Sequence, residues 1–203
     1  MNVVSCASPK LSPQCGWGPA LLLALCITAC SPRFDWREVA PPDSGCMIAL
    51  PGKAQTTRRD IELAGVSVPM AMTSTGVGAT LFAVGAARLP ASLTTDAAAT
   101  QRTLDYLSDA LVRNVGGTRQ PLPAPSYSAH SLLGHALRAS AALQTAAALP
   151  ESYKGGNSTR APQLYARLLL VDDRLYQLVA IGAPAELPPE AIETFFTSFR
   201  LTE

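Results

Sequence analysis

Thiols and imidazoles are the first places to look for chemistry in this chain, which carries five cysteines and two histidines. His130 and His135 are five residues apart. That spacing puts them on opposite faces of a strand and far apart on a helix, so they do not form a zinc pair. Cys46 stands in "GCMIAL", where no neighbour can act as a base and the setting reads as a buried strand. A free cysteine there behaves as a small apolar residue. "GVSVP" (65–69) shares G-x-S with a nucleophile elbow but ends in proline, with no helix after it. "GVGATLFAVG" has spaced glycines without the lysine of a phosphate loop. Asp172–Asp173 reads as a turn, because a calcium site needs more oxygen ligands close by. "NST" at 157–159 fits a glycosylation sequon within a polar loop. The sequence therefore nominates no catalytic residue, no metal ligand and no cofactor. It leaves Arg119 and Tyr127 in one long loop (116–128), and Tyr153 and Arg160 in another (150–162), as candidate partner-binding residues.

Cys30 has a different setting. An apolar run, "ALLLALCITA" (20–29), stops at this residue. The run is too short to span a bilayer and suits the core of a signal peptide. The basic segment before it is weak, holding only Lys10. Ile27-Thr28-Ala29-Cys30 resembles the lipobox of bacterial lipoproteins: an aliphatic residue, two small residues, then cysteine. The resemblance implies that residues 1–29 are a signal peptide and that Cys30 is diacylated. Small side chains before Cys30 let a peptidase reach the backbone, and two or more acyl chains anchor stably. Loss of 1–29 takes Lys10, Cys6, Cys15 and Cys26 with it, leaving a neutral chain in which Cys46 is the one unacylated thiol. No internal disulfide is then possible, and an exported chain of this length must be held by its core. Ser31 follows Cys30, and the sorting rule of enteric bacteria then leans the anchor toward the outer membrane.

Charge excludes one class of partner. The net charge is +1, and the densest basic cluster is Arg58–Arg59, so nucleic acid is not expected.

These residues need elements to hold them. "SPRFDWREVAPPDSG" (31–45) reads as a tether with a docking segment, its prolines barring helix and Phe34, Trp36 and Val39 free to lie against a domain. "CMIALPG" reads as a short strand, and "RRDIELAGVSV" alternates as one strand. "PMAMTST" and "TLFAVGAARL" flank a glycine-rich turn and read as a hairpin. "TTDAAATQRTLDYLSDALVRNVGG" predicts a helix capped by Thr94 or Thr95, with Leu104, Leu107, Leu111 and Val115 on its buried stripe. "TRQPLPAPSYS" reads as a proline-rich loop, and "SLLGHALRASAALQTAAAL" as either helix or strand. "QLYARLLLVDDRLYQLVAIG" is a hairpin turning at Asp172–Asp173, with Tyr165 and Tyr176 on the sheet. "LPPEAIETFFTSFRL" is a terminal helix with Ile192, Phe195, Phe196 and Phe199 on one stripe. Hairpins dominate, so the fold class is α+β with an antiparallel sheet.

The strand ending "IALPGK", the meander, the helix, the hairpin strand "RLYQLVAIG" and the ending "FFTSF" together resemble the PsbP-like superfamily, which includes DcrB-type bacterial lipoproteins. The resemblance spans about 45–201. It implies an α/β/α sandwich in which helices flank a central antiparallel sheet, and strand for about 135–143. It implies no catalytic residues. The organisation expected is a signal peptide (1–29), a lipidated N-terminus and tether (30–44) and a single α+β PsbP-like domain (45–203). The function expected is that of a periplasm-facing, membrane-anchored, non-enzymatic binding or assembly module with an envelope protein as partner. An envelope enzyme with a dispersed site, built on Cys46 or a histidine, and a small-molecule carrier with an apolar cavity between sheet and helix are the alternatives.

Overall fold

The runs that carry large side chains at every position become the middle of a broad sheet. In this computed structural model, residues 33–115, 117–122, 133–141 and 162–202 are described. Seven antiparallel strands pair in the order β3(Gln55–Leu63)-β4(Val66–Val77)-β5(Thr80–Arg88)-β9(Arg174–Gly182)-β8(Gln163–Val171)-β7(Leu133–Ala141)-β6(Gly117–Leu122). "ARLLLV" and "LYQLVAI" show no polar alternation because β8 and β9 are covered on both faces.

Helix α1 (Ala97–Asn114) lies over one face. Leu104, Leu107 and Leu111 pack there with Leu168, Leu170, Leu175 and Val179. Its N-cap is Asp96, whose Oδ1 accepts from the Ala99 amide at 2.7 Å. The expected caps are displaced: Thr95 instead donates back to the Ala91 carbonyl of the short 3-10 turn Ala91–Leu93.

The opposite face is covered differently. A three-stranded sheet, β1(Trp36–Val39)-β2(Cys46–Pro51)-β10(Arg200–Leu201), and helix α2 (Pro189–Thr197) form the second layer. So sheet replaces helix over part of the face where the sequence leads one to expect a helix layer alone. The compact unit begins at Phe34. The stretch read as a docking segment is strand β1, paired to β2 in the register Trp36↔Pro51 to Val39↔Ile48. Phe82 lies at its centre, fully buried, with ring centroids of Phe34, Trp36 and Phe195 at 5.9, 5.7 and 5.3 Å.

Two strand readings change. "RRDIELAGVSV" is not one strand but a hairpin, because Ala64 and Gly65 both take positive φ (50° and 83°) and Leu63 pairs with Val66. A two-residue turn of this hand usually signals itself with asparagine or aspartate first, and alanine hides it. "TRQPL" is not loop but edge strand β6, where Pro121 is tolerated because an edge strand can spare an amide. "LGHALRASA" is strand β7.

Candidate functional site

Small residues decide where the second layer stops. On β4 and β5, Ala71 and Ala86 are paired neighbours, and the register carries that row outward to Arg58 on β3 and Tyr176 on β9. Two residues further along the same face, Arg88 and Arg174 are directly paired. Alanine leaves room on a face that Phe82, Val84, Leu178 and Tyr176 fill elsewhere. The result is a cleft of about 280 Å³, floored by Pro69, Ala71 and Ala86 and walled by Arg58, Arg88, Arg174 and Tyr176.

The cleft is closed on one side by Pro42–Ser44, from the link between β1 and β2. Ser44 N–H donates to the Pro41 carbonyl at 3.2 Å, and Asp43 has φ of 58°. That is a type II kind of turn, in which proline at the second position fixes φ and aspartate tolerates the left-handed third. Ser44 is buried and ties the turn to the sheet. Its carbonyl accepts from Tyr176 Oη at 2.8 Å and from Arg174 Nη1 at 3.0 Å. Its hydroxyl donates to the Pro41 carbonyl at 2.7 Å. Gly45 follows with φ of 64°, and a methyl built there would overlap the Arg174 guanidinium. The position needs glycine twice over, for backbone and for space.

The arginines are held but not saturated. Arg58 meets Asp43 Oδ2 at 2.6 Å and Arg88 meets Asp173 Oδ2 at 2.7 Å, both at the surface. Cys46 sits behind the turn, 1% exposed, with Sγ 3.3 Å from the Ser44 hydroxyl. Burial pushes its thiol above the ordinary value, against the pull of Ser44 and Arg174. Tyr176 is likewise pushed up, chiefly by burial. A buried, protonated thiol is a poor nucleophile.

Of the four partner-binding residues nominated from sequence, Arg119 is the one among the described residues. Arg119 is in strand β6 and not in a loop, and its Nη1 meets Asp109 of α1 at 3.3 Å. Its nomination as a loop residue is corrected by the strand pairing of Gly117–Leu122 with β7. Tyr127, Tyr153, Arg160, His130 and Cys30 lie outside the described residues. His135 falls on β7. Among the described residues no group of three or more histidine, cysteine, aspartate or glutamate side chains could hold a metal. Nor is any helix among them long and apolar enough to cross a membrane, which says nothing of strands that cross as a barrel. The cleft was missed from sequence because its arginines are scattered from 58 to 174. The available signal was Arg58 within the densest basic cluster, and two alanines inside otherwise bulky strands.

No family model matches the chain, and no curated protein matches it. Among solved structures, it is similar to the solution structure of cyanobacterial PsbP (CyanoP) from Synechocystis sp. PCC 6803, at 12% identity with a TM-score of 0.48, covering 85% of this chain and 95% of that one.

Proposed function

We propose that the chain is a PsbP-like, non-enzymatic binding module of the bacterial cell envelope, anchored through lipid on Cys30 and facing the periplasm from the outer membrane. The observation that carries the binding reading is the arginine-walled cleft, built on paired strands and fixed by the Pro41–Gly45 turn. Recognition sites of this kind are concave, with an apolar floor and a few placed polar groups. Anchoring is supported by Ile27-Thr28-Ala29-Cys30 at the end of an apolar run.

Two observations weigh against the alternatives. The enzyme reading builds on Cys46 or a histidine, and in its thiol form it meets a Cys46 that is buried and raised in pKa. The carrier reading put an apolar cavity between sheet and helix, where Leu104, Leu107 and Leu111 pack on Leu168 and Leu175. Feeding cells a clickable palmitate tests the anchor: wild-type protein takes the label and Cys30→Ala does not. Equal labelling of both would end the lipoprotein reading. In-cell crosslinking of a tagged chain should then recover an envelope protein, and partners confined to the cytoplasm would contradict the localisation.

A further inference from the structure

We propose that the arginine-walled cleft binds the phosphate group of a small ester, whose apolar part lies on Ala71 and Ala86. The inference rests on reading the chain as a binding module and does not depend on the lipid anchor.

The size of the space comes first. A cleft of about 280 Å³ suits a small molecule or one headgroup. Its charge comes next. Arg58, Arg88 and Arg174 come from three different strands; Asp43 pairs with Arg58 and Asp173 with Arg88, while Arg174 meets the neutral Ser44 carbonyl. Arg58 stands at one end of the alanine row, and Arg88 with Arg174 two residues along it. A planar carboxylate is satisfied by a single guanidinium fork, whereas a tetrahedral phosphate offers oxygens in several directions at once. The donors are there to be used. Each guanidinium has five N–H groups, and the contacts described engage Arg58 Nη2, Arg88 Nη1 and Arg174 Nη1.

Two features make the arrangement ready for an anion. Arg88 and Arg174 are paired directly across β5 and β9, a like-charge juxtaposition that costs stability. A phosphate between them removes that repulsion. Asp43, which now meets Arg58, has a side chain 84% exposed, and Arg58 is 66% exposed. Such a surface pair holds weakly and yields readily to a better anion. The floor accounts for the ester: Pro69, Ala71 and Ala86 give a shallow apolar surface beside the charges, suited to a few carbons.

The test uses the purified full-length chain in a non-ionic detergent and isothermal titration calorimetry. Phenyl phosphate is titrated against benzoate, which presents a planar carboxylate on the same ring, and against dihexanoyl phosphatidylglycerol. Phenyl phosphate or the short-chain lipid should bind at least about tenfold more tightly than benzoate. Binding by the first marks a soluble ester as the source, and binding by the second a membrane headgroup. Arg58→Gln and Arg88→Gln should each weaken binding about tenfold. Ala86→Leu should block the floor. Thermal unfolding of each variant shows that it remains folded, and Arg88→Lys, which keeps the charge, should restore part of the affinity. The proposal is overturned if neither phosphate binds, if benzoate binds as well, or if folded Arg58→Gln and Arg88→Gln proteins bind as wild type. Such a failure leaves the palmitate and crosslinking results standing, so the two readings fall separately.

Discussion

One face of the seven-stranded sheet ends in two different ways. Toward the Gly182 end of β9, Phe82 and Ala180 are paired, and Phe82 is roofed by Phe34, Trp36 and Phe195. Four residues further along β5, about 13 Å away, Ala86 and Ala71 are paired under a cleft. The backbone pairing is continuous through both ends; only side-chain volume differs. Large rings demand a second layer and so recruit β1, β2 and α2. Small methyls let that layer stop, and the arginines of neighbouring strands line the gap. The site exists because packing is relaxed locally, on strands that packing elsewhere holds rigid.

The comparison can be broken most forcefully at its packed end. Phe82→Ala removes a fully buried ring that touches both layers. It should cost about 3–5 kcal/mol, read as a large fall in the midpoint of urea unfolding. A loss below about 1 kcal/mol would mean that the aromatic roof is not what holds β1 to the sheet.

The same contrast explains what was legible in the sequence. The antiparallel hairpin β8-β9 and the leucine stripe of α1 are strong periodic signals and stand where the pattern put them. The phenylalanine stripe holds for Ile192, Phe195 and Phe196, but α2 ends at Thr197, so Phe199 lies past the helix and Arg200–Leu201, expected as helix, pair with β2 as β10. The misses have physical causes. Ala64–Gly65 is a turn without its usual leading residue, so one strand was read for two. Strand β1 is short and bracketed by prolines, and gains its order from pairing with β2 and from Phe82. The cleft depends on cross-strand register, which places Arg58 in line with Tyr176 more than a hundred residues away. No local window contains that information.

A smaller effect is expected at the corner that closes the cleft. Gly45→Ala must take φ near 64° with a side chain and push Arg174 aside. The backbone part alone costs about 1–2 kcal/mol. Because Arg174 and Tyr176 share the Ser44 carbonyl, the displaced arginine should also leave the cleft wall. The variant should therefore lose phosphate binding more steeply than its loss of stability explains. If Gly45→Ala binds phenyl phosphate as wild type, the turn does not position the site.

The smallest effect separates the two ends by pH. Cys46 and Tyr176 lie behind the turn, and both have pKa values raised by burial above their ordinary 9.0 and 10.0. The unfolded chain therefore loses these protons first as pH rises. Fewer protons in the unfolded state means that stability falls with increasing pH. Their contribution is complete below the ordinary thiol value and is lost from about pH 9 upward. Unfolding midpoints measured across this range should decline, and the decline should be shallower in Cys46→Ala, which has no thiol to titrate. Phe82→Ala, by contrast, removes no titrating group and should lower the whole curve without changing its alkaline slope. Equal slopes in wild type and Cys46→Ala would show that the thiol is not buried behind the turn. The corner would then be looser than the packed end in the same sense as the cleft itself, and the ordering of Arg174 would have to come from the sheet alone.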